Sequence, residues 1–129
     1  MSTVLIVEDS FTQREILSEL FKRIGLNVIL ASDGVEALAK IESHPPDLVI
    51  LDIIMPQMNG YEVCRRIKSD VKTQRIAVLM FSTKSKQCDY YWGSKQGADA
   101  YISKLCHPQE LINTVEQLLR KDTCSYSYS

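Results

Sequence analysis

Four places in the chain carry residue types that could do chemistry together: the acid pair Glu8-Asp9, the single acid Asp52, the hydroxyl pair Ser82-Thr83, and Lys104. Each stands at the carboxyl end of a short apolar run. Taken singly, each has an ordinary reading. An acid pair favours a helix N-terminus, an Asp opening a loop caps or turns the chain, and a Lys is usually solvated. The conjunction carries the weight. If the runs are strands of one parallel sheet, these groups meet at one edge. Three carboxylates sharing a crevice repel one another unless a cation sits among them. A hard divalent ion with oxygen ligands meets that need, and magnesium takes one or two carboxylates plus waters. An ammonium and a hydroxyl facing them would leave a positively biased position beside Asp52. That position suits a phosphoryl group, and a carboxylate can attack phosphorus to form an aspartyl-phosphate.

The elements that must position these groups are legible in the periodicity. Continuous apolar runs at Thr3–Val7, Asn27–Ala31, Leu48–Leu51, Ile76–Phe81 and Ala100–Ser103 predict five strands. Helical stripes fall between and after them. The first, over Phe11–Ile24, carries Ile16, Leu17, Leu20, Phe21 and Ile24, and Gly25 stops it. The second, Gly34–Ser43, carries Val35, Leu38 and Ile41, and His44-Pro45-Pro46 breaks it. The third, Gly60–Ser69, turns Val63, Cys64 and Ile67 inward. A weaker fourth helix is expected over Lys86–Gln96, stopped by Gly97. A fifth, Pro108–Arg120, carries Leu111, Ile112, Val115, Leu118 and Leu119, with Pro108 suited to its first turn. Alternating strands and helices predict an α/β fold with a parallel sheet covered on both faces. Right-handed crossovers bring all the strand carboxyl ends to one edge, where open sheets of this kind bind ligands.

The remaining composition mainly excludes. The chain has 129 residues, the size of one domain, with 15 basic and 16 acidic residues and a formal net charge of -1. That balance offers no electrostatic footprint for nucleic acid or an anionic membrane. No apolar run is long enough to span a bilayer, and no basic region precedes the first one, so a soluble, cytoplasmic protein without a signal peptide is expected. The cysteines at 64, 88, 106 and 124 form no Cys-x-x-Cys pair and read as thiols. His44 and His107 belong to no ligand-spaced cluster, which argues against zinc. A single domain over residues 1–121 is expected, with a disordered tail over 122–129.

Three segments carry a family resemblance: Val4-Leu5-Ile6-Val7-Glu8-Asp9, Asp52-Ile53-Ile54-Met55-Pro56-Gln57-Met58-Asn59-Gly60 and Gly97-Ala98-Asp99-Ala100-Tyr101-Ile102-Ser103-Lys104. Together they resemble the bacterial response-regulator receiver domain, over essentially the whole chain. The resemblance implies a flavodoxin-like, doubly wound sheet of order 2-1-3-4-5 with five helices. It implies a single-domain regulator of a two-component phosphorelay, in which Asp52 accepts the phosphoryl group of a phosphohistidine on a kinase or phosphotransfer protein. Such a regulator is a switch, catalysing only its own phosphorylation and dephosphorylation. Magnesium would be held by Asp9, by Glu8 mainly through water, by Asp52 and by the backbone carbonyl of Ile54. Ser82 and Lys104 would hold the phosphoryl oxygens. Tyr101 would turn inward as Ser82 is drawn toward the phosphate. The surface of the fourth helix, fifth strand and fifth helix would then bind a target protein, with no nucleic acid or membrane involved. Trp92-Gly93-Ser94-Lys95-Gln96-Gly97-Ala98 further resembles stand-alone receivers serving type IV pilus motility and phototaxis.

The chain also departs from the family's pattern. Lys104-Leu105-Cys106 replaces Lys-Pro-Phe, whose proline follows a cis bond. A cis bond before a non-proline residue costs roughly 2.5–4 kcal/mol, so a trans bond and a shifted loop are expected. Thr83 stands where a small residue is usual, and His107 is a poor helix cap beside Asp or Ser. Ile54, Thr83 and Lys84 border the approach of a hydrolytic water. Ile54 and Thr83 shield it, which predicts a long-lived phosphorylated state, while the Lys84 charge would act oppositely by aiding approach. Ile54 also counts against a phosphatase of the haloacid dehalogenase type, which needs a second Asp at that position. The acid pair counts against a flavodoxin-like carrier, because it would repel a phosphate. A phosphorylation-independent receiver is disfavoured by the intact Glu8, Asp9, Asp52, Ser82 and Lys104.

Overall fold

The computed structural model describes residues 2–55, 58–82 and 97–124, with side chains to residue 120. Five strands, β1 (Thr3–Val7), β2 (Asn27–Ala31), β3 (Leu48–Leu51), β4 (Ala77–Ser82) and β5 (Ala100–Ser103), form one sheet of order β2-β1-β3-β4-β5. Every adjacent pair is parallel. Four helices lie within the described residues: α1 (Phe11–Arg23), α2 (Gly34–Ser43), α3 (Gly60–Ser69) and α4 (Pro108–Cys124). The helix expected over Lys86–Gln96 lies outside the described residues, as do Pro56, Thr83, Lys84 and Trp92. The sheet order and the α/β architecture are those the sequence implied.

Alternation along each strand splits the core in two. Val4, Ile6, Leu48, Ile50, Leu79, Phe81 and Ile102 meet Leu17 and Phe21 of α1 and Leu111, Val115 and Leu118 of α4. Leu5, Val7, Val49, Leu51, Val78, Met80 and Tyr101 meet Ala37 and Ile41 of α2 and Val63, Cys64 and Ile67 of α3. Two stripe assignments shift. Ile16 and Val35 are exposed, at 56% and 52%, so α2 buries Gly34, Ala37 and Ile41 where the apolar spacing favoured Val35. The small Gly34 and Ala37 allow close packing, and the pattern of large side chains conceals that. Element ends shift by up to four residues: β4 ends on Ser82, one residue later than expected, and α4 continues through Cys124.

Each helix start is capped. The side chains of Ser10, Asp33 and Asn59 accept from the backbone N–H groups of Gln13, Glu36 and Glu62. At α4 the His107 ring corrects the sequence expectation, because its Nδ1 accepts the Gln109 N–H at 3.1 Å and so caps after all. Gly25, at φ +89°, closes α1 with paired bonds from Gly25 N–H to the Lys22 carbonyl and Leu26 N–H to the Phe21 carbonyl. At the opposite edge of the sheet, Lys68 Nζ reaches Asp99 Oδ2 at 2.8 Å and the Ile76 carbonyl at 2.7 Å. Asp99 Oδ2 also accepts the Val78 N–H at 2.8 Å, which joins α3 to the first turns of β4 and β5.

Register fixes the height of the polar groups. Val7 pairs with Leu51, so Glu8 and Asp52 emerge side by side, and the Asp52 N–H donates to the Val7 carbonyl at 3.2 Å. Leu51 pairs with Met80, and Ser82 with Ser103, which places Lys104 one residue past Ser82. The Lys104 N–H accordingly donates to the Ser82 carbonyl at 3.0 Å. The first residue of α3 packs directly on this edge. Gly60 donates its N–H to the Ile53 carbonyl at 2.9 Å, and a Cβ on it would lie 2.4 Å from the Asp52 carbonyl oxygen and 3.0 Å from Ile53 Cα.

Two outcomes follow from these contacts. Ala at position 60 gains at most about 1 kcal/mol in helix propensity, whereas overpacking against rigid backbone costs about 1–3 kcal/mol. Gly60→Ala should therefore lower the denaturant midpoint, although the same change stabilises an open helix. The second outcome concerns acid stability. Glu36 accepts from the Ser32 N–H and hydroxyl, both at 2.8 Å, and pairs with Lys40 at 3.0 Å. The Ser32 N–H, followed by Lys40 and the Ser32 hydroxyl, holds its carboxyl down at about 2 instead of 4.5. A depressed carboxyl stabilises the fold above its unfolded value and loses that contribution as pH falls through the folded one. The stability gap between the parent and Glu36→Gln should thus be open above pH 4.5 and close as pH falls toward 2, read by thermal melts across that range.

Candidate functional site: an acidic crevice closed by a lysine

The five groups singled out by sequence come from four loops and strand ends, and the structure gathers them at one edge of the sheet. Glu8, Asp9 and Asp52 offer carboxylate oxygens that all lie within 4.8 Å of one another. Glu8 and Asp52 are buried and Asp9 is exposed. Lys104 closes the crevice from β5. Its ammonium lies 2.6 Å from Glu8 Oε1 and 3.1 Å from Asp52 Oδ2, with only 15% of the side chain exposed. Ser82 is buried at the end of β4, next to Ser103 in the sheet.

The remaining carboxylate oxygens are also held. Asp52 Oδ1 accepts the Ile54 N–H at 3.3 Å, so the two oxygens of Asp52 are drawn in different directions. Glu8 Oε2 accepts the Ser10 N–H at 3.1 Å. Glu8 therefore meets Lys104 directly, a contact that an assignment through water did not foresee. Burial pushes the Glu8 carboxyl above its ordinary range, against the pull of the Lys104 and Ser10 hydrogen bonds. Burial alone would draw the Lys104 ammonium down, but its bonds to Glu8 and Asp52 outweigh it and raise it. An ammonium in that setting stays charged at neutral pH.

Two contributors were given no role at the site by sequence. Arg14, one turn into α1, donates from Nη1 to the backbone carbonyls of Glu8 at 2.8 Å and Asp9 at 3.4 Å, bracing the turn that presents both acids. Its signal was available: a cation near a helix N-terminus opposes the helix dipole and invites a tertiary explanation. Gly60 is the other, because only a residue without a Cβ lets α3 approach the Asp52 backbone this closely. Tyr101 is buried among the side chains shared with α2 and α3. The Lys104–Leu105 bond is trans, and Leu105 projects into solvent at 86% exposure.

The donors present are hard oxygens, with no nitrogen or sulfur among the described residues of the cluster, and they fit a hard divalent cation such as magnesium. No described helix is long and apolar enough to cross a membrane. A groove of about 770 Å³ between α2 and α3 lies at the other edge of the sheet and shares no residue with the crevice.

Comparison with known proteins agrees with this arrangement. The family model of the response regulator receiver domain matches residues 4–116. The chain is 34% identical to Protein PilH of Pseudomonas aeruginosa over 119 residues, 92% of this chain and 98% of that protein. It is 35% identical to Protein PilG of the same organism over 113 residues, 88% of this chain and 84% of that protein. Among solved structures, chemotaxis protein CheY4 of Vibrio cholerae superimposes with a TM-score of 0.86 at 30% identity, covering 92% of this chain and 98% of that one. With the sheet order, the gathered acids and the closing lysine already in place, the match over residues 4–116 settles the family: the chain is a response regulator receiver domain.

Proposed function

We propose that the chain is the phosphoacceptor of a two-component phosphorelay, and that Asp52 carries the phosphoryl group. The observation that supports this most is the fixed pose of Asp52. It is buried, pinned through Oδ2 by Lys104 at 3.1 Å and through Oδ1 by the Ile54 N–H at 3.3 Å. A nucleophile held in one orientation forfeits little entropy on attack. An Asp52 oxygen attacks the phosphorus of a phosphohistidine, the P–N bond breaks, and the electron pair leaves with the imidazole of the donor. Lys104 exchanges its contact with the Asp52 carboxylate for one with a phosphoryl oxygen, and Ser82 donates its hydroxyl to another. Asp9, Asp52, the Ile54 carbonyl and, through water, Glu8 would hold a magnesium ion, which would supply positive charge against the phosphoryl group. On this reading the chain is a switch, not an enzyme acting on other substrates.

The partners on this reading are a histidine kinase or phosphotransfer protein upstream and a target protein downstream. The described part of the expected output face supports the second role. A groove of about 320 Å³ there is lined by Tyr101, Ser103, Leu105, Cys106, His107 and Glu110, directly beside the lysine that would sense the phosphate. Cytoplasmic placement and service to a pilus-type motility pathway belong to the same proposal, the latter supported by the likeness to PilH and PilG.

The direct experiment is incubation with acetyl phosphate and magnesium, followed by intact-mass measurement and peptide mapping. One phosphate should appear, on Asp52. Asp52→Asn should abolish it, and Ser82→Ala should retain it while losing the accompanying structural change. Asp9→Asn should weaken magnesium binding in a titration without the phosphodonor. Phosphate found on a serine or tyrosine, or retained in Asp52→Asn, would refute the assignment.

A further inference from the structure

The loop that carries Lys104 is built differently from a simple strand end. The Cys106 N–H donates to the Ser103 carbonyl at 3.0 Å, so residues 103–106 form a β-turn with Lys104 at its first corner. The turn's own bond leaves the N–H of the second corner, Leu105, without a backbone partner. Ser103 Oγ accepts it at 3.1 Å. The Leu105 side chain is 86% exposed and packs on little. Lys104 is thus fixed by hydrogen bonds on both sides: its own N–H to the Ser82 carbonyl at 3.0 Å, and the Ser103-centred turn behind it.

We infer that Ser103 is a positioning residue for Lys104: its hydroxyl locks the turn that aims the ammonium at Glu8 and Asp52. The need arises because position 105 is a leucine and has an N–H to satisfy. A proline there would bring no N–H to satisfy. Ser103 acts through Lys104 and touches none of the reacting atoms. The inference rests on the phosphoacceptor reading for its kinetic consequence, although not for the contact itself.

The test uses the full chain, with substitutions Ser103→Ala, Ser103→Thr, Leu105→Pro and the pair Ser103→Ala with Leu105→Pro. Amide exchange at Leu105 and the Lys104 ε-methylene shifts are read by NMR in the resting protein. Phosphoryl uptake from acetyl phosphate is read separately. Ser103→Ala should speed exchange at Leu105, move the Lys104 ε-methylene shifts toward those of a solvated lysine, and slow uptake about fivefold, the scale of one hydrogen bond. Ser103→Thr, which keeps the hydroxyl, should restore all three. In the Leu105→Pro background the donor is gone, so adding Ser103→Ala should slow uptake no further. The inference is overturned if Ser103→Ala slows uptake equally in both backgrounds, or if exchange at Leu105 and the Lys104 shifts do not respond. A parent that takes up no phosphate contradicts the role given to Asp52, while the two resting-state measurements still decide for or against Ser103.

Discussion

One ammonium group holds the functional edge of this protein together. Lys104 lies 2.6 Å from Glu8 and 3.1 Å from Asp52, and all three side chains are largely withdrawn from water. Without a cation between them, two buried carboxylates would face each other with a third, Asp9, alongside. Two unit charges a few ångströms apart interact by about 4 kcal/mol at the effective dielectric of a protein surface, and by more when buried. The sheet can therefore gather its acids only if it also delivers the lysine. Delivery is a matter of register. The pairing runs from β1 through β3 and β4 to β5, and a one-residue slip in any pair would turn the side chain to the other face.

The same constraint explains the unusual supports around the edge. The turn after β1 is braced by Arg14 through backbone carbonyls, which leaves the carboxylates of the pair to face the crevice. The turn after β3 is shaped by Gly60, whose missing side chain lets α3 sit against the Asp52 backbone. The turn after β5 is tied by Ser103 to the Leu105 N–H. In each case the support acts on the main chain, and the charged side chain is left to do chemistry. The far edge, with Lys68 and Asp99 joining α3 to β4 and β5, carries the structural counterpart: an ion pair whose partners are already saturated by backbone groups.

The fold was legible because its strands, the central ones buried on both faces, read as short apolar runs, each closed by a polar residue. The acids, Ser82 and Lys104 were legible for the same reason, since strand ends in a parallel sheet must converge. What the sequence hid was contact made by small residues and by backbone. Ala37 and Gly34 bury α2 where Val35 looked the better choice. Imidazole capping by His107 depends on the ring turning its Nδ1 to Gln109, which no propensity scale records. The Glu8–Lys104 bond joins residues 96 positions apart in the chain, and spacing cannot rank it above a contact with Asp9.

If the lysine is the cation that allows the acids to share one crevice, then a metal ion and Lys104 should partly substitute for each other. Denaturant unfolding of the parent and of Lys104→Met, each with and without magnesium, measures this directly. Removing one partner of a buried ionic cluster costs about 3–5 kcal/mol, so Lys104→Met should be clearly less stable than the parent without the ion. Magnesium should then recover more stability in Lys104→Met than it adds to the parent. A Lys104→Met protein as stable as the parent, or one that magnesium stabilises no more than the parent, would contradict the account.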